Sequence, residues 1–273
     1  MKSAKYVRKP KGVKIMIKKF GIQAWTVRDL MPKDDAAMTA KTFKQLSEYG
    51  YSELQTISLN IPAEEYAALA KENGISIVGT HLPFDDMVAD PEKWMEIHHI
   101  LGSKCIGIGG MPGPARESKD ELLKFCETAN KFGEIISKQG FKFTYHNHSF
   151  EFKKIDGKNT MMDLLVANLD PVTTSFCLDT YWVQHGGGDV RGWIEKLAGR
   201  IDILHFKDME MGLDGVQRYT SVGNGNLDFK LILESAEKSG VKHFIVEQDS
   251  NWVDDDPMKA AKNSAEYIKA NLM

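Results

Sequence analysis

The sequence predicts a single (β/α)8 barrel, and three observations predict it. Short β-rich runs alternate eight times with longer helical patterns. The chain has 273 residues, 42% of them hydrophobic and 27% charged, enough for one large core. No GxGxxG follows the first strand and no GxxxxGK(S/T) occurs anywhere, so a doubly wound nucleotide-binding sheet has no support. Each parallel strand pair needs a crossover helix, and eight such units in about 250 residues suit a closed barrel.

The elements follow in order. Residues 20–25 (FGIQAW) form strand one, and the helix over 35–50 carries apolar Met38, Phe43 and Leu46 before a C-terminal Gly50. Strand two is YSELQTIS, followed by a helix with Pro62 at its start and Gly74 past its end. Strand three is ISIVGTHL, helix three PEKWMEIHHILG and strand four KCIGIGG. The longest helix runs over about 118–139 from the cap-like Ser118. Strand five is FKFTYHNH, helix five covers 160–168 and strand six is TSFCLD. Helix six covers 189–198, strand seven is IDILHF, helix seven FKLILESAEKSG, strand eight HFIVEQ and helix eight 257–272. Residues 1–19 read as a basic N-terminal extension and 20–273 as the barrel.

Charge and composition exclude several functions. With 35 basic against 38 acidic side chains, net −3, no global field gathers a polyanion, and nucleic acid is not an expected partner. No apolar run of membrane-spanning length occurs, and the basic N-terminus lacks a secretory h-region. A cytoplasmic location without membrane association is expected, unless a signal peptide has been removed. Cys105, Cys126 and Cys177 have neither CxxC spacing nor an even count, and read as reduced core residues.

A barrel carries its chemistry at the C-terminal ends of its strands. Those ends hold Gln23 and Trp25, then Gln55, His81, the YHNHSFE run, Asp179, His205 with Lys207, and Glu247. Singly, Asp179 could cap a turn and His205 could be a hydrogen-bonded core histidine. Jointly, Glu151, Asp179, His205 and Glu247 on the neighbouring strands five to eight could converge on one ion. Mixed oxygen and nitrogen ligands without thiolate suit Mn²⁺, the first choice, or Mg²⁺, Co²⁺ or Zn²⁺. On strand five, His146 and His148 share one face, with Tyr145 and Asn147 on the other. The strand-five ligand is therefore Glu151, if the chain bends inward, or a histidine. His98, His99 and His243 are read as structural.

The segments FGIQAWTVRD, GTHLPF, YHNHSFEF, CLDTYWVQHGG, ILHFKDM, VGNGNLDF and FIVEQD together resemble the sugar phosphate isomerase/epimerase superfamily, the xylose isomerase-like TIM barrels. The likeness covers nearly the whole chain. It implies a divalent metal held by Glu151, Asp179, His205 and Glu247. Two departures stand out: the family's strand-five Glu-x-x-Asn glutamate is Thr144 here, and the histidine expected three residues after the metal aspartate is Trp182, with His185 further on.

The activity so implied is isomerisation or epimerisation of a keto sugar through a metal-stabilised enediolate. Glu247 or a strand-five histidine would be the base, with Glu151 or His146 on the opposite face. Trp25, His81, His148, Trp182, His185 and Lys207 are expected to contact the sugar. The same site could run dehydration or cleavage of a 3-keto-glycoside. A catalytically silent sugar-binding barrel, a metal-dependent nuclease and a purely structural barrel are the rivals from other classes. Self-association into a homo-oligomer stays open.

Overall fold

Eight parallel strands curl round until the first and last in the sheet meet. A computed structural model describes residues 16–273; most of the basic extension, residues 1–15, lies outside them. The barrel strands are β1 (Gly21–Gln23), β2 (Glu53–Thr56), β3 (Ser76–Thr80), β4 (Cys105–Ile108), β5 (Lys142–His146), β6 (Thr174–Asp179), β7 (Ile201–Phe206) and β10 (His243–Val246). They pair in the order β3-β2-β1-β10-β7-β6-β5-β4. The seam between β3 and β4 is closed just beyond the strands, where the Leu82 N–H donates to Gly107 O at 2.8 Å. Only glycine fits at 107, because a Cβ there would lie 2.6 Å from the Thr80 carbonyl oxygen.

The helices form the outer ring: α1 (Ala36–Glu48), α2 (Ala63–Glu72), α3 (Phe84–Ala89), α4 (Pro91–Leu101), α5 (Lys119–Ser137), α6 (Met161–Asn168), α7 (Thr180–His185), α8 (Val190–Lys196), α9 (Phe229–Lys238) and α10 (Pro257–Asn271). Their starts follow from capping chemistry. Ser118 accepts from the Glu121 N–H at 3.2 Å, and Thr160 and Asp163 cap one another's backbone reciprocally. Among the described residues no helix is long and apolar enough to cross a membrane.

Strands six and seven keep their predicted bounds, whereas the others are shorter. Elements not expected include α3, α7, the 3-10 segments Ala24–Leu30, Pro114–Arg116, Phe150–Phe152 and Val253–Asp255, and an antiparallel hairpin of β8 (Asp208–Met211) with β9 (Gln217–Thr220). The buried Asp208 carboxylate organises the loop after the hairpin, accepting from the N–H groups of Gly223, Gly225 and Leu227 at 2.9 to 3.2 Å. Ile17, ahead of the first predicted strand, is buried and donates its N–H to Leu272 O at 2.9 Å.

The main apolar core lies between strands and helices, and a smaller one inside the barrel consists of Val78, Cys105, Cys177, Ile203 and Ile245. All three cysteines are free and buried. Side chains alternate along a strand, so the residues two positions beyond this inner layer also point inward. From Ile203 the inward series continues to His205 and Lys207, from Cys177 to Asp179, and from Ile245 to Glu247. The apolar layer is thus the floor on which polar groups stand.

Candidate active site

Four buried side chains meet above that floor. One ligand atom from each of His146, Asp179, His205 and Glu247 lies within 4.8 Å of all the others. His205 Nδ1 is 3.1 Å from Glu247 Oε2 and 3.4 Å from Asp179 Oδ2, and His146 Nε2 is also 3.4 Å from Asp179 Oδ2. The second polar atom of three of these groups is committed elsewhere. His146 Nδ1–H donates to Gly109 O at 2.9 Å, His205 Nε2–H donates to Gln55 Oε1 at 2.5 Å, and Asp179 Oδ1 accepts from the Trp182 N–H at 2.9 Å.

Those outer bonds test whether a divalent ion fits. They leave a His205 lone pair aimed at Asp179 Oδ2 and Glu247 Oε2 and a His146 lone pair aimed at Asp179 Oδ2, a repulsive arrangement that either a proton or a metal ion relieves. Two nitrogens and two anionic oxygens converging this closely are a suitable donor set for such an ion. Without a metal, a proton takes the place: burial works against charge on His205, but Cys177, Glu247 and Asp179 outweigh it and hold the imidazole well above its ordinary pKa.

Lys207 stands beside the four. Its Nζ donates to Glu247 Oε2 at 2.9 Å and to both Asp249 oxygens at 2.8 Å, and lies 3.8 Å from Asp179 Oδ2. Burial alone would favour a neutral amine, yet the three carboxylates raise its pKa and keep it charged. The same contacts set the acids apart. Burial is overcome at Glu247 by Lys207 and His205, which hold it well below the carboxylate range, while at Asp249 burial and the Glu247 charge push the pKa up. Asp179 is held at about 2, burial being outweighed by Lys207 and the two histidines.

Glu151 does not join the group. The 3-10 turn Phe150–Phe152 carries it to the outer side of β5, where its Oε1 accepts from the Tyr145 hydroxyl at 2.7 Å and its Oε2 from the His148 N–H at 2.9 Å. Burial pushes its pKa up to about 8. On β5 the inward position belongs to His146, the other option left by the sequence.

The remaining expected contacts separate into two sets. Trp25, His81, His148 and Lys207 line a cavity of about 500 Å³ that also exposes His146, Glu247 and Asp249. His81 accepts from the Gln55 amide at 2.9 Å, and burial holds its pKa well below the ordinary value. His148 is likewise held down, to about 3, by burial and by His146 and Lys207. Trp182 packs against His148 at 5.1 Å between ring centroids but does not line the cavity. His185, at the end of α7, is exposed, stacks on Tyr181 at 5.5 Å and is absent from the cavity wall. His98, read as structural, is buried between Thr80 Oγ1 at 2.9 Å and Trp94 O at 2.7 Å.

Sequence reasoning passed over Asp249 as a site residue. The signal was present, because Asp249 lies two residues beyond Glu247 and so on the same face of an extended chain. Gln55 appeared at its strand end without a role, and its link between His205 and His81 depends on a barrel-crossing contact.

A nearly closed parallel barrel with buried histidines and carboxylates at the C-terminal ends of its strands defines a (β/α)8 protein with side chains that could hold a metal ion. The chain belongs to the xylose isomerase-like TIM barrel family, whose model matches residues 37–271. It is similar to an inosose dehydratase of Lactiplantibacillus plantarum, 29% identical over 170 residues, which cover 56% of this chain and 55% of that protein. The chain thus spans about half the length of the curated relatives it matches at this level. A sugar phosphate isomerase/epimerase structure from Parabacteroides distasonis has a TM-score of 0.78 at 25% identity, covering 98% of each chain. A D-allulose 3-epimerase structure from Methylomonas sp. shares the fold, with a TM-score of 0.69 at 15% identity over 95% of this chain and 99% of that one.

Proposed function

We propose that the chain is a divalent-metal-dependent lyase. It removes the proton α to the carbonyl of a polyhydroxylated ketone and expels the β-oxygen substituent from the same side. The observation that carries this reading is the Glu247–Lys207–Asp249 group, in which one ammonium bridges two carboxylates at 2.9 and 2.8 Å. A base and an acid held that close reach the same face of a substrate, which elimination can use. Epimerisation needs groups on opposite faces, and Glu151, the second acid in the sequence reading, is turned outward against Tyr145. The likeness to relatives named inosose dehydratase supports the same reading.

The roles follow from free atoms. A divalent cation held by His146, Asp179, His205 and Glu247 would polarise the ketone oxygen and acidify the adjacent C–H; this donor set suits Mn²⁺, Co²⁺ or Zn²⁺ better than Mg²⁺. Glu247 engages Lys207 and His205 through Oε2, while Oε1 makes no hydrogen bond among the described residues and takes the α-proton. The C–H electron pair first forms the C=C bond of an enolate, whose α-carbon can exchange with solvent; as the carbonyl re-forms, that pair makes the α,β C=C bond, the β C–O bond breaks, and protonated Asp249 delivers its proton to the departing oxygen. Water or an alcohol leaves, and exchange with solvent restores both carboxyl groups. Lys207 holds the pair in register, and His148, neutral at the cavity wall, orients hydroxyls.

Isomerisation or epimerisation is the second reading, supported by the likeness to the Parabacteroides distasonis structure. Reaction of the metal-loaded protein with keto sugars in D2O separates the two. Elimination predicts an unsaturated ketone, with Glu247→Gln losing both solvent exchange and product, and Asp249→Asn losing product while exchange persists. An epimerised ketone without unsaturated product would favour the second reading. No exchange in the loaded wild type, with sugar still bound, would identify a silent sugar-binding barrel.

A further inference from the structure

The cavity has two unlike walls. His146, His148, Lys207, Glu247 and Asp249 form one, and Trp25, Ile57, Leu82 and Pro83 form the other. On the apolar side Trp25 is 42% exposed, an unusual amount of indole to leave in water at the mouth of a pocket. The ring is also held in place. The Arg28 guanidinium carbon lies 4.2 Å from its centroid, Arg28 Nη1 donates to Trp25 O at 2.6 Å, and Arg28 Nη2 donates to Asp249 O at 3.2 Å. Trp252 lies on the same guanidinium at 5.5 Å. A fixed, exposed aromatic ring is a preorganised platform for another flat or apolar surface.

The cation on the polar wall is already engaged. Lys207 is the one ammonium or guanidinium lining the cavity among the described residues, and Glu247 and Asp249 already engage it. Lys207 Nζ is taken up by Glu247 and Asp249 whether Asp249 is ionised or protonated, so among the described residues no free cation lines the cavity to receive a phosphate.

We infer that the substrate is an unphosphorylated keto sugar carrying an apolar ring substituent, which stacks on Trp25 and lies along Ile57, Leu82 and Pro83. This rests on the sugar-ketone reading above, and it adds the substituent and excludes the phosphate. In chemical terms the leaving group or a neighbouring substituent is an aryl or similar ring rather than a second polar sugar.

Calorimetric titration of the manganese-loaded protein with phenyl glucoside, methyl glucoside and glucose 6-phosphate tests it without turnover. Phenyl glucoside should bind at least tenfold more tightly than methyl glucoside, and glucose 6-phosphate no more tightly than methyl glucoside. Trp25→Ala should remove the phenyl advantage, and Trp25→Phe should keep most of it. Equal affinity for the phenyl and methyl compounds, no binding of either, a phosphate preference, or a phenyl advantage that survives in Trp25→Ala would overturn the inference. Solvent-exchange activity on unsubstituted keto sugars, measured on the same preparation, separates these outcomes from failure of the lyase reading, which predicts exchange whatever the substituent.

Discussion

The Tyr145 hydroxyl donates to Glu151 Oε1 at 2.7 Å, and both side chains are buried. This bond ties the loop after β5 to the outer face of its own strand, while burial, which outweighs the bonds from Tyr145 and His148, raises the pKa of Glu151. A carboxyl whose pKa is raised to about 8 in the fold binds its proton more tightly there than in the unfolded chain. Its stabilising contribution is therefore complete below about pH 4.5 and is lost as the pH rises through about 8, by on the order of 5 kcal/mol. Glu151→Gln keeps an acceptor and a donor at the same place without the charge. Thermal unfolding should show the variant more stable than wild type at pH 8.5 and nearly equal to it at pH 5; a uniform loss at both values would contradict this account.

Gln55 should act on the metal through His205. Its Oε1 accepts the His205 Nε2–H, which leaves Nδ1 as the ligand atom, and its amide N–H fixes His81 in turn. Gln55→Leu removes both bonds while keeping bulk. Metal affinity, measured by competition with a chelator, should fall about 10- to 100-fold. An unchanged affinity would show that His205 needs no such support.

His98 gives the opposite pH dependence. Burial lowers its pKa to about 4, so the folded protein holds it neutral while the unfolded chain takes up a proton near pH 6.5. The contribution is complete above about pH 6.5 and is lost as the pH falls through about 4, by about 3 kcal/mol. His98→Gln should flatten that part of the stability curve in denaturant titrations at pH 4, 5, 6 and 7. A variant curve parallel to wild type would show that His98 is not titrating.

Asp249→Asn should leave the fold and the metal in place, because Asp249 is partly exposed and its acceptor role toward Lys207 survives in the amide oxygen. Product formation should fall by at least tenfold, with smaller change in solvent exchange. Equal losses in both would place Asp249 in substrate binding instead.

The parts of the structure carried by periodicity were the parts readable in advance. The β-rich runs TSFCLD and IDILHF, buried at all six positions, mark β6 and β7 to the residue, and the period-two rule puts His146 and Tyr145 on opposite faces. Glu151 was harder, because a 3-10 turn after a strand has no repeat to read and decides whether the next carboxylate turns in or out. Residues 208–220 hold an Asp-Gly turn signal at Asp214 and Gly215, and the hairpin they form lies outside the alternation of strand and helix that reads as a barrel. The Gln55 to His205 contact joins residues 150 apart in sequence, and only closure of the barrel brings them together.

The central claim is that His146, rather than Glu151, completes a four-residue metal site with Asp179, His205 and Glu247. Elemental analysis of purified wild type, His146→Ala and Glu151→Gln after incubation with manganese and gel filtration tests it most directly. The account predicts about one equivalent of metal in wild type and in Glu151→Gln, and little in His146→Ala. Metal kept by His146→Ala and lost from Glu151→Gln, or no metal in the wild type, would contradict it.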